Sequence, residues 1–79
     1  MAQIIYQYFK KEIEDGTILV RINPESFEGL ELLIDKEQRI LQTKRKFDST
    51  IYADLEFDEF IKGSPLEFNL FLQKVKQEK

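Results

Sequence analysis

The sequence predicts an α+β domain: an antiparallel sheet of four or five strands in meander order, with one face covered by a C-terminal helix that a short helical turn precedes. Three observations predict it. Asp15-Gly16 separates two strand-like runs. Residues 50–57 keep a strict period of two. Ser64-Pro65-Leu66-Glu67 opens the last segment with three helix-start signals at once.

The elements follow in order. A two-residue loop at Asp15-Gly16 suits a type I′ turn, which needs positive φ at both positions. Glu14 then pairs with Thr17, Ile13 with Ile18, Lys11 with Val20 and Phe9 with Ile22. Those residues share one face, the expected core side, with Lys11 as the exception. The other face carries Ile4, Tyr6, Tyr8, Lys10 and Glu12 opposite Asn23, Arg21 and Leu19. Two further strands are expected over 30–35 and 39–47, joined by a turn without glycine, so their register stays open.

Ile51, Ala53, Leu55 and Phe57 alternate with Thr50, Tyr52, Asp54 and Glu56, which argues for a fifth strand, with a helix as the alternative. Residues 58–63 read as one helical turn, capped by Asp58 and stopped by Gly63. In the last segment Leu66, Phe68, Leu70 and Leu72 also alternate. The start signals, and the Gln, Lys and Glu of the second half, favour a helix. Lys74 and Lys76 near its far end suit the helix dipole. At ~100° per residue, Phe68, Phe71, Leu72 and Val75 make one apolar stripe while Leu66 and Leu70 fall on the opposite side. The helix is therefore two-sided.

Seventy-nine residues make one domain, spanning 1–79. A chain this short buries only about 60% of the surface exposed when unfolded. Its core supplies roughly 3–5 kcal/mol, so oligomerisation is the natural way to add buried surface. The chain has no Cys and no His, which excludes disulfides, thiolate metal sites and the commonest general base. The N-terminus shows neither the basic start nor the apolar run of a signal peptide. The densest apolar stretches, Ile18-Leu19-Val20 and Leu32-Leu33-Ile34, are too short to span a bilayer. No membrane partner and a cytoplasmic location are the expectations. Net charge is −3, with 8 Lys/Arg against 8 Asp/Glu in residues 1–47 and 4 against 7 in 48–79. A duplex-DNA binder would carry a basic excess instead.

Two surfaces are candidates for binding. Leu66 and Leu70 form the first, and each is worth roughly 1.5–3 kcal/mol if fully buried. Either they pack under the Phe60-Ile61 turn or a loop, or they make a self-association or partner surface. The second surface is the outer face of the first hairpin with Lys44-Arg45-Lys46. Lys10 falls opposite Arg21 in the expected register, and like charges across a strand pair repel unless neutralised. Glu12 can neutralise them from within. So can a nucleic-acid phosphate, with Tyr6 and Tyr8 as stacking surfaces. An ordinary solvated face with balanced acids is the plainer reading.

Catalysis and metals have little to stand on. The acidic run Asp54, Glu56, Asp58, Glu59 lacks a calcium-loop spacing, and Asp58 has a capping role to fill. Ser26, Ser49 and Ser64 stand at turn or cap positions with no His or Cys to activate a nucleophile. The three glycines are isolated, so no phosphate loop exists. The expected function is a non-catalytic interaction domain without a cofactor, homodimeric or an adaptor, acting on itself or another protein. The alternative is weak, sequence-tolerant binding of single-stranded nucleic acid through Tyr6, Tyr8, Lys10, Arg21, Lys44 and Lys46.

Overall fold

The computed structural model describes residues 5–77. It has a five-stranded antiparallel sheet of β1 (Gln7–Ile13), β2 (Gly16–Ile22), β3 (Glu28–Asp35), β4 (Ile40–Lys46) and β5 (Ile61–Lys62). Two helices complete it, α1 (Ile51–Phe57) and α2 (Pro65–Gln77). The strands lie in the order β4-β3-β2-β1-β5, a meander whose last, two-residue strand returns to the free edge of β1. Ile4, expected on the face of Tyr6, lies outside the described residues.

The first hairpin forms with its register moved by two. Ile13 pairs with Gly16, Lys11 with Ile18, Phe9 with Val20, Lys10 with Leu19 and Tyr8 with Arg21. The loop is Glu14-Asp15, and neither residue takes positive φ, so no type I′ turn forms. Gly16 instead opens β2 at φ 152°, where an added Cβ would lie 1.9 Å from the Ile34 carbonyl oxygen. The glycine is there because β3 passes too close for any side chain. A slip of two replaces every expected pair, the Lys10–Arg21 opposition among them, but preserves each residue's face.

The other turns are held by side chains. Asn23 Oδ1 accepts from the N–H groups of Glu25 and Ser26 at 2.8 and 3.3 Å, and Phe27 takes φ 61°. Asp35 closes the glycine-free β3–β4 turn. Its Oδ1 accepts from the Glu37 and Arg39 N–H groups, both at 2.9 Å, and its Oδ2 accepts from Arg39 Nε at 3.0 Å. Gln38 supplies the positive φ that a glycine would otherwise give.

Residues 51–57 form a helix, not the expected strand. The alternating positions split: Ile51 and Leu55, four apart, are buried, whereas Ala53 and Phe57 face solvent. Asp48 starts the helix by accepting from the N–H and hydroxyl of Thr50. The expected helical turn at 58–63 is replaced by the C-terminus of α1 and then β5. Asp58 is the C-cap of α1. Glu59 takes φ 68°, the Phe60 N–H donates to the Leu55 carbonyl and the Glu59 N–H to the Glu56 carbonyl. That pair of bonds is a Schellman motif, which turns the chain back toward the sheet. The Gly63 N–H then donates to the Tyr8 carbonyl at 2.8 Å.

The C-terminal helix is where the start signals place it. Ser64 Oγ accepts from the Glu67 N–H at 3.3 Å. Phe68, Phe71 and Leu72 dock against Leu19, Leu30, Leu32 and Ile34, with Tyr8 and Ile40 alongside. The opposite face is also covered: Ile51 and Leu55 pack on Val20 and Ile22, bordered by Phe9, Phe27, Phe47, Tyr52 and Phe60. The sheet thus separates two apolar clusters. The face expected to be the core lies under α1, and the face expected to be outer lies under α2.

Candidate binding surfaces

All six side chains of the expected nucleic-acid surface belong to the α2 side of the sheet, because Tyr8–Arg21–Leu30–Lys44 are aligned across four strands. The helix divides them. Tyr8 packs edge-on against Phe68 with ring centroids 5.6 Å apart. Lys10 Nζ stands 3.1 Å from Glu67 Oε2 and 3.7 Å from Glu12 Oε2. These two are therefore committed to docking α2 and are not free for a ligand.

Tyr6, Arg21, Lys44 and Lys46 remain together. They line an open cleft of about 700 Å³ at the β2–β3–β4 end of the sheet, with Leu30 and Leu72 as its apolar lining. The Arg21 guanidinium lies 4.6 Å from the Tyr6 ring centroid and 5.4 Å from that of Phe68. Arg45 points to the other face and pairs with Glu31 at 2.9 Å. Among the described residues, Arg21, Lys44 and Lys46 form no ion pair. Glu28 stands at the rim, in register with Lys46. Leu30 and Leu72 escaped sequence reasoning because their place depends on the β3–β4 register and on the docking of α2.

The second surface is the outer face of α2. Leu66 is 71% and Leu70 54% exposed, so neither packs under the Phe60-Ile61 turn, and Ile61 is itself exposed. Asn69 and Gln73 beside them are also exposed.

A smaller cleft of about 530 Å³ opens on the α1 side between Phe9, Pro24, Tyr52, Glu56, Phe60 and Lys62. The Tyr52 hydroxyl is buried there without a hydrogen-bond partner among the described residues. Among those residues, no three carboxylates converge on a site fit for a metal ion. No helix of the described residues is long and apolar enough to cross a membrane.

Among the described residues, Asp35 and Asp48 have shifted acidities, and both are turn residues. The Arg39 N–H holds Asp35 below its ordinary value of 3.8; burial opposes it, and the Arg39 side chain and the Glu37 N–H add to the lowering. The hydroxyl and then the N–H of Thr50 lower Asp48 in the same way. Comparison with protein-family models, curated proteins and solved structures finds no match to this chain.

Proposed function

We propose that the chain is a small, non-catalytic interaction domain of the cytoplasm that associates with a second copy of itself through the outer face of α2. The observation that carries this is the exposure of Leu66 and Leu70 after the same helix has docked its other face through Phe68. The outer stripe is uncharged, and Leu66, Leu70 and Gln73 recur at spacings of four and three, the seam spacing of paired helices. Glu67 and Lys74 border one side of it. In an antiparallel pair, Lys74 of one copy approaches the end of the helix where Glu67 of the other already holds Lys10. The seam is thus complementary to itself.

The magnitude sets the expected strength. Scaling roughly 1.5–3 kcal/mol per leucine by the exposed fractions gives a gross gain of about 4–8 kcal/mol for the four leucines of a pair. The estimated cost of association, about 4–15 kcal/mol, matches or exceeds that gain, so the leucines alone do not hold a pair in this range and the rest of the seam must supply the surplus of a weak, concentration-dependent dimer. The non-catalytic part of the reading is supported by the lack of His and Cys.

Light scattering coupled to gel filtration, from about 10 µM to 1 mM, tests it at affinities worth roughly 4–7 kcal/mol. The mass rises toward twice that of the chain with concentration, and Leu66→Glu with Leu70→Glu holds it at one copy with the circular dichroism of the fold unchanged. A wild-type chain that stays monomeric over the whole range overturns the proposal.

A further inference from the structure

We propose that the cleft lined by Tyr6, Arg21, Lys44 and Lys46 binds single-stranded nucleic acid, independently of any self-association. Arg39 and Arg45 each hold a carboxylate. Arg21, on the central strand of the sheet and half-buried between two rings, holds none among the described residues. A guanidinium held over two aromatic rings has lost much of its freedom, yet its N–H groups carry no ion pair among the described residues. Such a group is prepared for a planar or multidentate oxyanion, and phosphate is the commonest.

Lys44 and Lys46 extend the same charge along one line. They are two apart on β4, so they project to the same face at a separation of roughly 7 Å. Lys44 shares the cross-strand row of Arg21, with Leu30 between them. The three cations and one rim carboxylate, Glu28, leave the cleft net positive in a chain whose total charge is −3. A local positive patch on an acidic chain suits a short anionic segment better than a duplex, whose binders carry a basic excess over the whole face.

Aromatic and apolar surface distinguishes the ligand from a simple anion. Tyr6 lines the cleft beside Arg21, and Leu30 and Leu72 add apolar surface. Bases stack on such rings and on guanidinium planes while the cations hold the backbone. The cleft is also open, so a polymer can run along it. An acidic peptide would use the cations but leave Tyr6 without a stacking partner.

The test is fluorescence anisotropy of a labelled oligothymidylate with the full chain, titrated at several salt concentrations. Single strands lose about 0.7 in log–log slope per neutralised phosphate, so three cations give a slope near −2. Replacing both Lys44→Gln and Lys46→Gln brings the slope to about −0.7. Tyr6→Ala weakens binding roughly 5- to 150-fold with little change in slope, because stacking releases no counterions. Lys36→Gln, in the β3–β4 turn at the other end of the sheet, leaves the affinity unchanged. No binding in low salt overturns the proposal. Equal losses from Lys36→Gln, equal affinity for a duplex of the same length, or equal competition by polyglutamate also overturn it.

Discussion

Two truncations on one helix, Phe68→Ala and Leu70→Ala, separate its docked side from its free side. Phe68 is 1% exposed and touches Tyr8, Arg21 and the leucine cluster of β2 and β3. Its removal costs about 3–5 kcal/mol, the range for a buried aromatic replaced by Ala. A domain of this length has a total stability of about 4–12 kcal/mol, so the loss is a large fraction of the whole. At a urea m-value near 1–1.5 kcal/mol/M, the small end of the usual range, the midpoint falls by about 2–5 M. Leu70→Ala removes a similar apolar side chain, but it lies two residues away on the exposed side. It costs less than about 1 kcal/mol, partly offset by the better helix propensity of Ala. Urea unfolding followed by circular dichroism measures both, at a few micromolar protein so that mass action from a weak pair does not add to the apparent stability. Equal midpoint shifts for the two variants would refute the docking of α2 through Phe68, and with it the free outer face.

Tyr52→Phe removes a buried hydroxyl that has no partner among the described residues. An orphan polar group costs roughly 1–3 kcal/mol, so the thermal midpoint of the variant equals or exceeds that of the parent; a drop worth more than about 1 kcal/mol would mean the hydroxyl is bonded. Asp35 and Asp48 both have folded-state acidities below their ordinary value of 3.8. Each stabilises the fold fully above that value and ceases to do so as pH falls through the lower folded-state value. Thermal unfolding from pH 6 to 2 therefore shows a falling acid limb that is shallower in Asp35→Asn and in Asp48→Asn, and an unchanged limb in both would contradict the turn geometry.

How much of this was legible in the sequence depends on the range of the forces involved. The faces of the first hairpin were legible, since the period of two depends only on the local backbone, and Tyr8, Lys10 and Arg21 do share one face; that Lys44 and Lys46 join it depends on the β2–β3 and β3–β4 registers. The hairpin register was not, because Gly16 answers a close approach by β3, a contact eighteen residues away in sequence at Ile34. Residues 51–57 satisfy both periods. Only the position of α1 over Val20 and Ile22 decides that Ile51 and Leu55 are wanted inside and Phe57 outside. The two-sidedness of α2 followed from its wheel. Which hairpin residues it would cover did not, and so Tyr8 and Lys10 were grouped with a cleft from which Phe68 and Glu67 withdraw them.

The basic stretch of β4 has a plain explanation that must be weighed against a ligand. An edge strand needs charge to discourage pairing with other chains, and Lys44-Arg45-Lys46 supplies it. Edge protection accounts for Arg45, whose charge is matched by Glu31 on the α1 side. It does not account for Arg21, which stands two strands inward, half-buried, and aligned with Lys44. A half-buried cation with no counter-ion among the described residues is a cost to the fold that edge protection does not require. The two proposed activities also use different aspects of α2. Leu72 points toward the sheet and reaches the cleft, while Leu66 and Leu70 point away, so a pair formed on the outer face leaves both clefts open. Salt then separates them. Apolar contact between leucines holds or strengthens as salt rises, whereas cleft binding falls with a slope set by its phosphate contacts. A chain whose dimerisation and oligonucleotide binding weakened together in salt would have one charged surface, not two.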